Sequence, residues 1–222
     1  MCAILSEAEQ KPGIALVTGA SKGVGRGIAL ALAAAGWNVA INYHSDAEGA
    51  KETAQAVAAA GRQHWLFKAD IGNSSQVHTM FEELQKNCGR LDLLVNNAGI
   101  QTWSPLLSLR EEDWERVIRT NLTGTFLCLQ RAAHMMTQNG GCIINIGSGA
   151  NKVPFPNLID YCASKGGIET LTQVAAVELG PYGIRVNCVA PGTIEIERTR
   201  RESPEYANTW ACLLYTSPSP RD

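Results

Sequence analysis

Residues 14–36 read Ile14-Ala-Leu-Val-Thr-Gly-Ala-Ser-Lys-Gly-Val-Gly-Arg-Gly-Ile-Ala-Leu-Ala-Leu-Ala-Ala-Ala-Gly36. An apolar run long enough for a buried strand, Ile14 to Val17, leads directly into Thr18-Gly-Ala-Ser-Lys-Gly-Val-Gly25. The Ile28, Ala29, Leu30, Leu32, Ala33 series that follows is a helix with little polar surface, stopping at Gly36. Strand, glycine loop and helix in that order let a backbone pass close to a pyrophosphate. The first amides of the helix would be left to hold it. A tight turn with nothing bound is the bland alternative, so the rest of the chain has to decide.

Outward from this unit the pattern repeats. Val39–Tyr43 is expected as a second strand, Ala47–Ala60 as an Ala-rich helix closed by Gly61, and Trp65–Phe67 as a third strand running to Asp70. Asn73 or Ser74 can cap the helix carrying Val77, Met80, Phe81 and Leu84. Leu91–Val95 is a fourth strand entering Asn96-Asn-Ala-Gly99. Ser108 with Glu111 has the form of a capping box before one long helix holding Trp114, Val117, Ile118, Leu122, Phe126 and Leu129. Cys142–Ile146 and Ile184–Val189 are the fifth and sixth strands, with a helix between them. Such alternation predicts a single α/β domain, a Rossmann-like doubly wound parallel sheet with right-handed crossovers. In such sheets ligands lie beyond the carboxyl ends of the strands. The polar motifs at 18–25, at Asp70, at 96–99, at 147–148 and at 190–193 all fall there.

The chain has 222 residues, 45% of them hydrophobic and 18% charged, with a net charge of -2. That balance suits one α/β domain and argues against a nucleic-acid-binding surface. The N-terminal residues lack a basic start and a long apolar core, and no later apolar run is long enough to span a bilayer, so a cytoplasmic protein without a membrane partner is expected. Seven cysteines are scattered without a Cys-x-x-Cys pair, and the four histidines lack metal-ligand spacing. Reduced thiols and no metal are expected.

Tyr161-Cys-Ala-Ser-Lys165 places a phenol and an ammonium four residues apart, on one face of a helix. A free tyrosine has a pKa of about 10, too high for easy proton exchange near neutrality. A positive charge about 6 Å away, at an effective dielectric of about 20, favours the phenolate by roughly 3 kcal/mol. The spacing also recurs by chance in helices, so its significance rests on its company.

With those residues together, the chain resembles the short-chain dehydrogenase/reductase family from about residue 13 to 211. The likeness rests on Thr18-Gly-x-x-x-Gly-x-Gly25, Asp70, Asn96-Asn-Ala-Gly99, Asn121, Ser148, Tyr161-x-x-x-Lys165 and Pro191-Gly-Thr193, in the family's order. The resemblance implies a nicotinamide oxidoreductase moving hydride between the cofactor and a carbonyl or alcohol carbon. It makes Tyr161 the general acid/base and Lys165 the group that lowers its pKa and holds the nicotinamide ribose. Ser148 becomes the donor to the substrate oxygen, and Asn121 the holder of a relay water. For the cofactor it implies Thr18, Gly19, Ser21, Lys22, Gly23, Val24 and Gly25 around the phosphates. Asp70 and Ile71 would lie at the adenine, Asn97, Ala98 and Gly99 beside the dinucleotide, and Pro191, Gly192 and Thr193 in the closing turn. At 147 this chain has glycine where relatives often carry another serine.

The second strand ends Asn42-Tyr43-His44-Ser45, with no acid until Asp46 to accept both ribose hydroxyls, and Lys22 lies in the glycine loop. NADP(H) is favoured on that basis, with NAD(H) as the alternative. Lys152–Asn157 resembles the corresponding stretch of bacterial glucose 1-dehydrogenases, which makes a sugar the first substrate expectation. A 3-oxoacyl thioester on acyl carrier protein is the rival within the same class. A nucleotide-binding regulator without turnover, or an inactive truncated fragment, is the reading from another class. The family resemblance further implies a homotetramer.

Residues 1–12 are expected as a leader and 13–211 as the dinucleotide-binding domain. The segment Cys212-Leu-Leu-Tyr-Thr-Ser-Pro-Ser-Pro-Arg-Asp222 can be back-translated into a sequence that resembles a transposase sequencing adapter read in frame. It is expected to be a non-biological tail standing where the family has its final helix and strand. A chain ending so is expected to expose a sheet edge and to be unstable and poorly active.

Overall fold

In the computed structural model, which describes residues 12–153, 155–192 and 194, the apolar runs become six strands paired in the order β3-β2-β1-β4-β5-β6. The strands are β1 (Ile14–Val17), β2 (Asn38–Tyr43), β3 (His64–Lys68), β4 (Leu93–Asn96), β5 (Gly141–Ile146) and β6 (Ile184–Val189). Every pairing is parallel. Between them run α1 (Gly23–Ala34), α2 (Ala47–Ala59), α3 (Ser74–Cys88), α4 (Glu111–Ile118), α5 (Gly124–Met136) and α6 (Ile159–Leu179). The expected doubly wound sheet is therefore the observed one. Most of the leader, Thr193 and the 212–222 tail lie outside the described residues.

Alternate residues of a strand point to opposite faces, which gives the sheet two cores. Ala15, Val17, Val39 and Ile41 pack with Ala29 and Ala33 of α1 and Ala50, Ala54 and Val57 of α2. Leu16, Ala40, Leu94 and Ile143 face the other way, onto Met80, Phe81 and Leu84 of α3 and Cys128, Leu129 and Met136 of α5. Each fully buried Leu, Ile or Val of these two layers contributes roughly 1.5–3 kcal/mol. Burial pushes the Cys128 thiol up to about 12, as expected of a reduced core cysteine. Among the described residues no helix is long and apolar enough to cross a membrane.

The helix boundaries show which local signals were used. Asn73 caps α3, its Oδ1 accepting the N–H groups of Ser75 and Gln76. The Ser108–Glu111 capping box is not formed. Leu106–Ser108 is instead a 3-10 turn, in which the Ser108 N–H donates to Pro105 O at 2.9 Å. Helix α4 starts after Arg110, without a side-chain cap, and three acids, Glu111, Glu112 and Asp113, offset its N-terminal dipole. The long helix expected from Trp114 to Leu129 is interrupted as well. Arg119–Thr123 forms one wide π-turn between α4 and α5, and Asn121 lies on it.

Because β2 and β4 flank β1 on opposite sides, the chain reverses direction across the sheet between β1 and β4. A crevice opens at such a switch point, beyond the carboxyl ends of the strands.

Candidate active site

At the switch point the loop after β1 is stapled to the loop after β4. Thr18 Oγ1 accepts the N–H groups of Asn97 and Ala98 at 3.0 and 3.1 Å. Asn97 Nδ2 donates in return to Thr18 O and Gly19 O at 2.9 and 3.3 Å. On the other side, Asn42 Oδ1 accepts the Gly19 N–H at 3.2 Å, while its Nδ2 donates to Phe67 O and Ala69 O. Asn42 was not singled out from the sequence. Its signal was an amide directly after the apolar run Val39–Ile41.

The loop is glycine-rich for steric reasons. Gly19 has φ +62°, and a side chain there would come within 2.9 Å of Ala98 Cα. A Cβ on Gly25 would lie 2.3 Å from Gly19 O and 2.5 Å from Asn97 Nδ2. Helix α1 opens after Lys22 with no side-chain cap and no acid in its first turn. Its first amides are therefore presented to the crevice without a competing protein carboxylate, which fits a dinucleotide diphosphate. Ser21 is held from below, its carbonyl accepting both Arg26 Nε and Nη2, and Val24 is half-buried in the first turn.

Lys22 itself is exposed and lies 3.7 Å from Asp46 Oδ2. Asp46 caps α2 by accepting the Gly49 N–H. That N–H, and after it the Lys22 ammonium, hold its carboxyl below the usual carboxylate range. At the end of β3, Asp70 Oδ1 accepts the Gly72 N–H at 2.9 Å, and Ile71 is buried against Gly124.

The second group of residues gathers at the carboxyl ends of β4 and β5. Asn121 Oδ1 accepts the Ile100 N–H and its Nδ2 donates to Ile100 O, both at 2.8 Å. The same Nδ2 donates to Ser164 Oγ at 3.0 Å, and Ser164 donates to Tyr161 O at 2.7 Å. The π-turn thus locks the loop after β4 to the first turn of α6. Gly99 lies over this lock: a Cβ there would be 3.3 Å from Asn121 Oδ1 and 3.8 Å from Lys165 Nζ.

Tyr161 and Lys165 share one face of α6, with Nζ 5.6 Å from the centre of the phenol ring. Lys165 is only 4% exposed. Its ammonium donates to Ile146 O at 2.6 Å. Burial pushes its pKa down to about 8, against the smaller opposing pull of Cys188. Asp160, which the sequence reading passed over, is 1% exposed in the first turn of α6. Its Oδ1 accepts the Tyr161 N–H at 2.7 Å, and a carboxylate at this place complements the helix dipole.

Ser148 follows β5 and begins the Gly149–Asn151 turn, its Oγ accepting the Ala150 N–H at 3.2 Å. A hydroxyl that accepts there still has a proton to give. Gly147 now has a local reason. A Cβ at this position would lie 2.7 Å from Cys188 Sγ, so this chain trades a side chain just after β5 for the sulfur on β6. Pro191 O accepts the Gly149 N–H at 3.0 Å and ties the loop after β6 to the Ser148 turn. Gly192 follows directly, and Thr193 falls outside the described residues.

The sequence model of the short chain dehydrogenase family matches residues 13–207. A 3-oxoacyl-acyl-carrier-protein reductase of Staphylococcus aureus is 43% identical over 192 residues, covering 86% of this chain and 78% of the reductase. A 3beta-hydroxysteroid dehydrogenase of Eggerthella lenta is 42% identical over 181 residues, covering 81% and 69% of the two chains. Among solved structures, acetoin dehydrogenase from Enterobacter cloacae superposes with a TM-score of 0.81 at 35% identity, covering 88% of this chain and 78% of that one.

Proposed function

Given that the chain belongs to the short-chain dehydrogenase/reductase family and is an NAD(P)-dependent oxidoreductase, we propose that it interconverts a secondary alcohol and a carbonyl group, with the anomeric carbon of a sugar as first candidate. The observation that carries the chemistry is the buried Lys165 ammonium 5.6 Å from the Tyr161 ring. Ser148 stands at the end of the neighbouring strand, with its hydroxyl proton uncommitted by the Ala150 N–H it accepts. When bound, the nicotinamide supplies or receives the hydride. Tyr161 gives or takes the proton at the substrate oxygen. Ser148 donates a hydrogen bond to the same oxygen as negative charge develops there. Lys165 keeps a positive charge beside the phenol below pH about 8. Asn121 holds the loop after β4 in place, and one lone pair of its Oδ1 is left for a relay water.

The thioester reading draws on the curated relatives of that name at 41–43% identity. An acidic carrier needs basic side chains near the mouth. Among the described residues, Arg110 and Arg116 both pair with Asp113, Arg119 with Glu115, and Lys152 with Glu169. Those pairings favour a small neutral substrate. Initial rates at the reduced-nicotinamide absorbance band, with glucose, simple polyols, acetoin and a 3-oxoacyl thioester, separate the readings. Turnover of glucose or a polyol supports the proposal, and turnover of the thioester alone replaces it.

NADP(H) is the proposed cofactor, with NAD(H) as the alternative, because Lys22 is the exposed cation in the phosphate loop and Asp46 is engaged by Gly49 and Lys22. Lys22→Ala is expected to lower the ratio of kcat/KM for NADP over NAD about tenfold, equivalent to ~1.4 kcal/mol. An unchanged ratio removes Lys22 from cofactor selection. Self-association, proposed as a homotetramer, would cover apolar side chains left exposed on the outer helices, among them Phe126 of α5 and Val174 and Val177 of α6. Sedimentation velocity tests it.

A further inference from the structure

We propose that Asn145 and Thr172 are positioning residues for catalysis: the buried chain Asn96–Asn145–Thr172 sets the height and tilt at which α6 presents Tyr161 and Lys165. The inference rests on the roles just given to those two residues.

The need for such a device follows from the buried side of α6. Its buried residues are Asp160, Ser164, Lys165, Ile168, Thr172 and Ala175. Most of them are polar, so interlocking apolar side chains do not by themselves fix the helix along its axis. Polar ties have to do it. Asn145 Nδ2 donates to Thr172 Oγ1 at 2.9 Å, and Asn96 Nδ2 donates to Asn145 Oδ1 at 2.9 Å. All three residues are buried.

The direction of this chain is dictated. The single hydroxyl proton of Thr172 goes to Ile168 O at 2.7 Å, so Thr172 can only accept from Asn145. Asn145 then has to offer its oxygen to Asn96. A chain with one allowed polarity specifies one arrangement, whereas apolar contacts tolerate sliding. Asn96 also donates to Thr125 O at 3.4 Å, and Thr125 Oγ1 donates to Asn121 O at 2.7 Å. Through these bonds the same network reaches the π-turn and, by Asn121, the Ser164 contact on α6.

Leverage comes from the neighbours in sequence. Asn145 directly precedes Ile146, whose carbonyl holds the Lys165 ammonium. Strand β5 therefore grips α6 at Lys165 and again at Thr172, two turns further on and about 10 Å away at the helical rise. One grip would leave the helix free to pivot about Lys165. Two fix its tilt, and with it how the phenol, carried by the helix, stands against the ammonium that Ile146 O holds.

The test measures kcat, both KM values and the pH dependence of alcohol oxidation for Thr172→Val and Thr172→Ser, beside Tyr161→Phe and the comparably buried Val57→Ala in α2. Thr172→Val is expected to lower kcat at least tenfold with KM for the dinucleotide within about twofold, because small misplacements of a catalytic group act on the chemical step. Its pH limb should move to higher pH as the ammonium draws away from Tyr161. Thr172→Ser, which restores the hydroxyl, should return both kcat and the limb to within about threefold of the parent. Val57→Ala should lower the thermal midpoint without moving the limb. If Thr172→Val does not fold, Thr172→Cys, of similar volume but a weak acceptor, is read by the same criteria. A Val or Cys variant with parental kcat and pH limb overturns the inference, provided Tyr161→Phe is inactive. An active Tyr161→Phe overturns the underlying assignment instead.

Discussion

Tyr161→Phe is expected to lower turnover by about 10²–10⁴-fold, the span that a positioned general acid/base contributes, while the dinucleotide still binds. The substitution removes one oxygen from a half-buried ring and leaves the rest of the site in place. Asn121 still holds Ile100 and Ser164, and Ser164 still reaches the backbone carbonyl of residue 161 rather than its side chain. The Thr18–Asn97 staple that shapes the phosphate loop does not involve α6. Initial rates and a fluorescence titration with the reduced dinucleotide read the two properties separately. Retention of more than a tenth of parental turnover would remove Tyr161 from the chemistry.

Lys165→Met should move activity and stability in opposite directions. The free lysine value of 10.5 falls to about 8 in the fold because the ammonium is buried. Between those two values the unfolded chain holds a proton that the folded one has released, so folding stability rises with pH across that window. Below pH 8 both states are protonated and the full penalty of the buried charge is present, on the order of 3 kcal/mol from the size of the shift. Methionine removes that penalty but leaves Ile146 O without its donor, a loss of about 1–3 kcal/mol. The variant should thus melt at or a few degrees above the parent at pH 7. Its advantage should shrink and then reverse as pH rises from 8 toward 10.5. Turnover should fall about 10²–10³-fold, comparable to the loss of one preorganised charge-stabilising donor. For the parent enzyme, kcat/KM for carbonyl reduction should decline above pH about 8 as Lys165 gives up its proton. Thermal melts across this pH range decide it: a parent whose stability is flat between pH 8 and 10.5 contradicts the assignment.

The sheet was legible because strands buried on both faces are mostly apolar, and β1, β2, β4 and β5 each left such a run, interrupted by single asparagines such as Asn42 and Asn145. Their ends were less so, since apolar pattern reports burial rather than pairing. Leu91 is buried yet precedes the β4 ladder, whereas Asn96 is polar and belongs to it. The Ser108–Glu111 box failed because Pro105 recruits the Ser108 amide into a competing turn. In the candidate site, spacing pointed to Tyr161 and Lys165, and the family resemblance to Ser148 and Asn121. The residues that brace α6, Asn145, Thr172 and Asp160, and Asn42, which braces the glycine loop, were visible only as polar letters in buried stretches. The partners of Asn42 and Asn96 lie 23 to 49 positions away, and no local window joins such pairs. The Lys22–Asp46 pair was hidden for the same reason.

The wide turn at Arg119–Thr123 acts as a phase shifter. An α-helix advances about 100° per residue, and a turn closed five residues apart instead of four inserts one extra step. Everything after Thr123 is thereby rotated relative to what precedes Arg119. The inward stripe of α5, with Cys128, Leu129, Ala132 and Met136, is set independently of the stripe on α4 that buries Val117. Mutations can therefore reshape α4 without turning the α5 stripe away from the sheet. A one-residue deletion inside the turn would do the reverse. It would leave every letter of α5 intact and aim them all at the wrong neighbours.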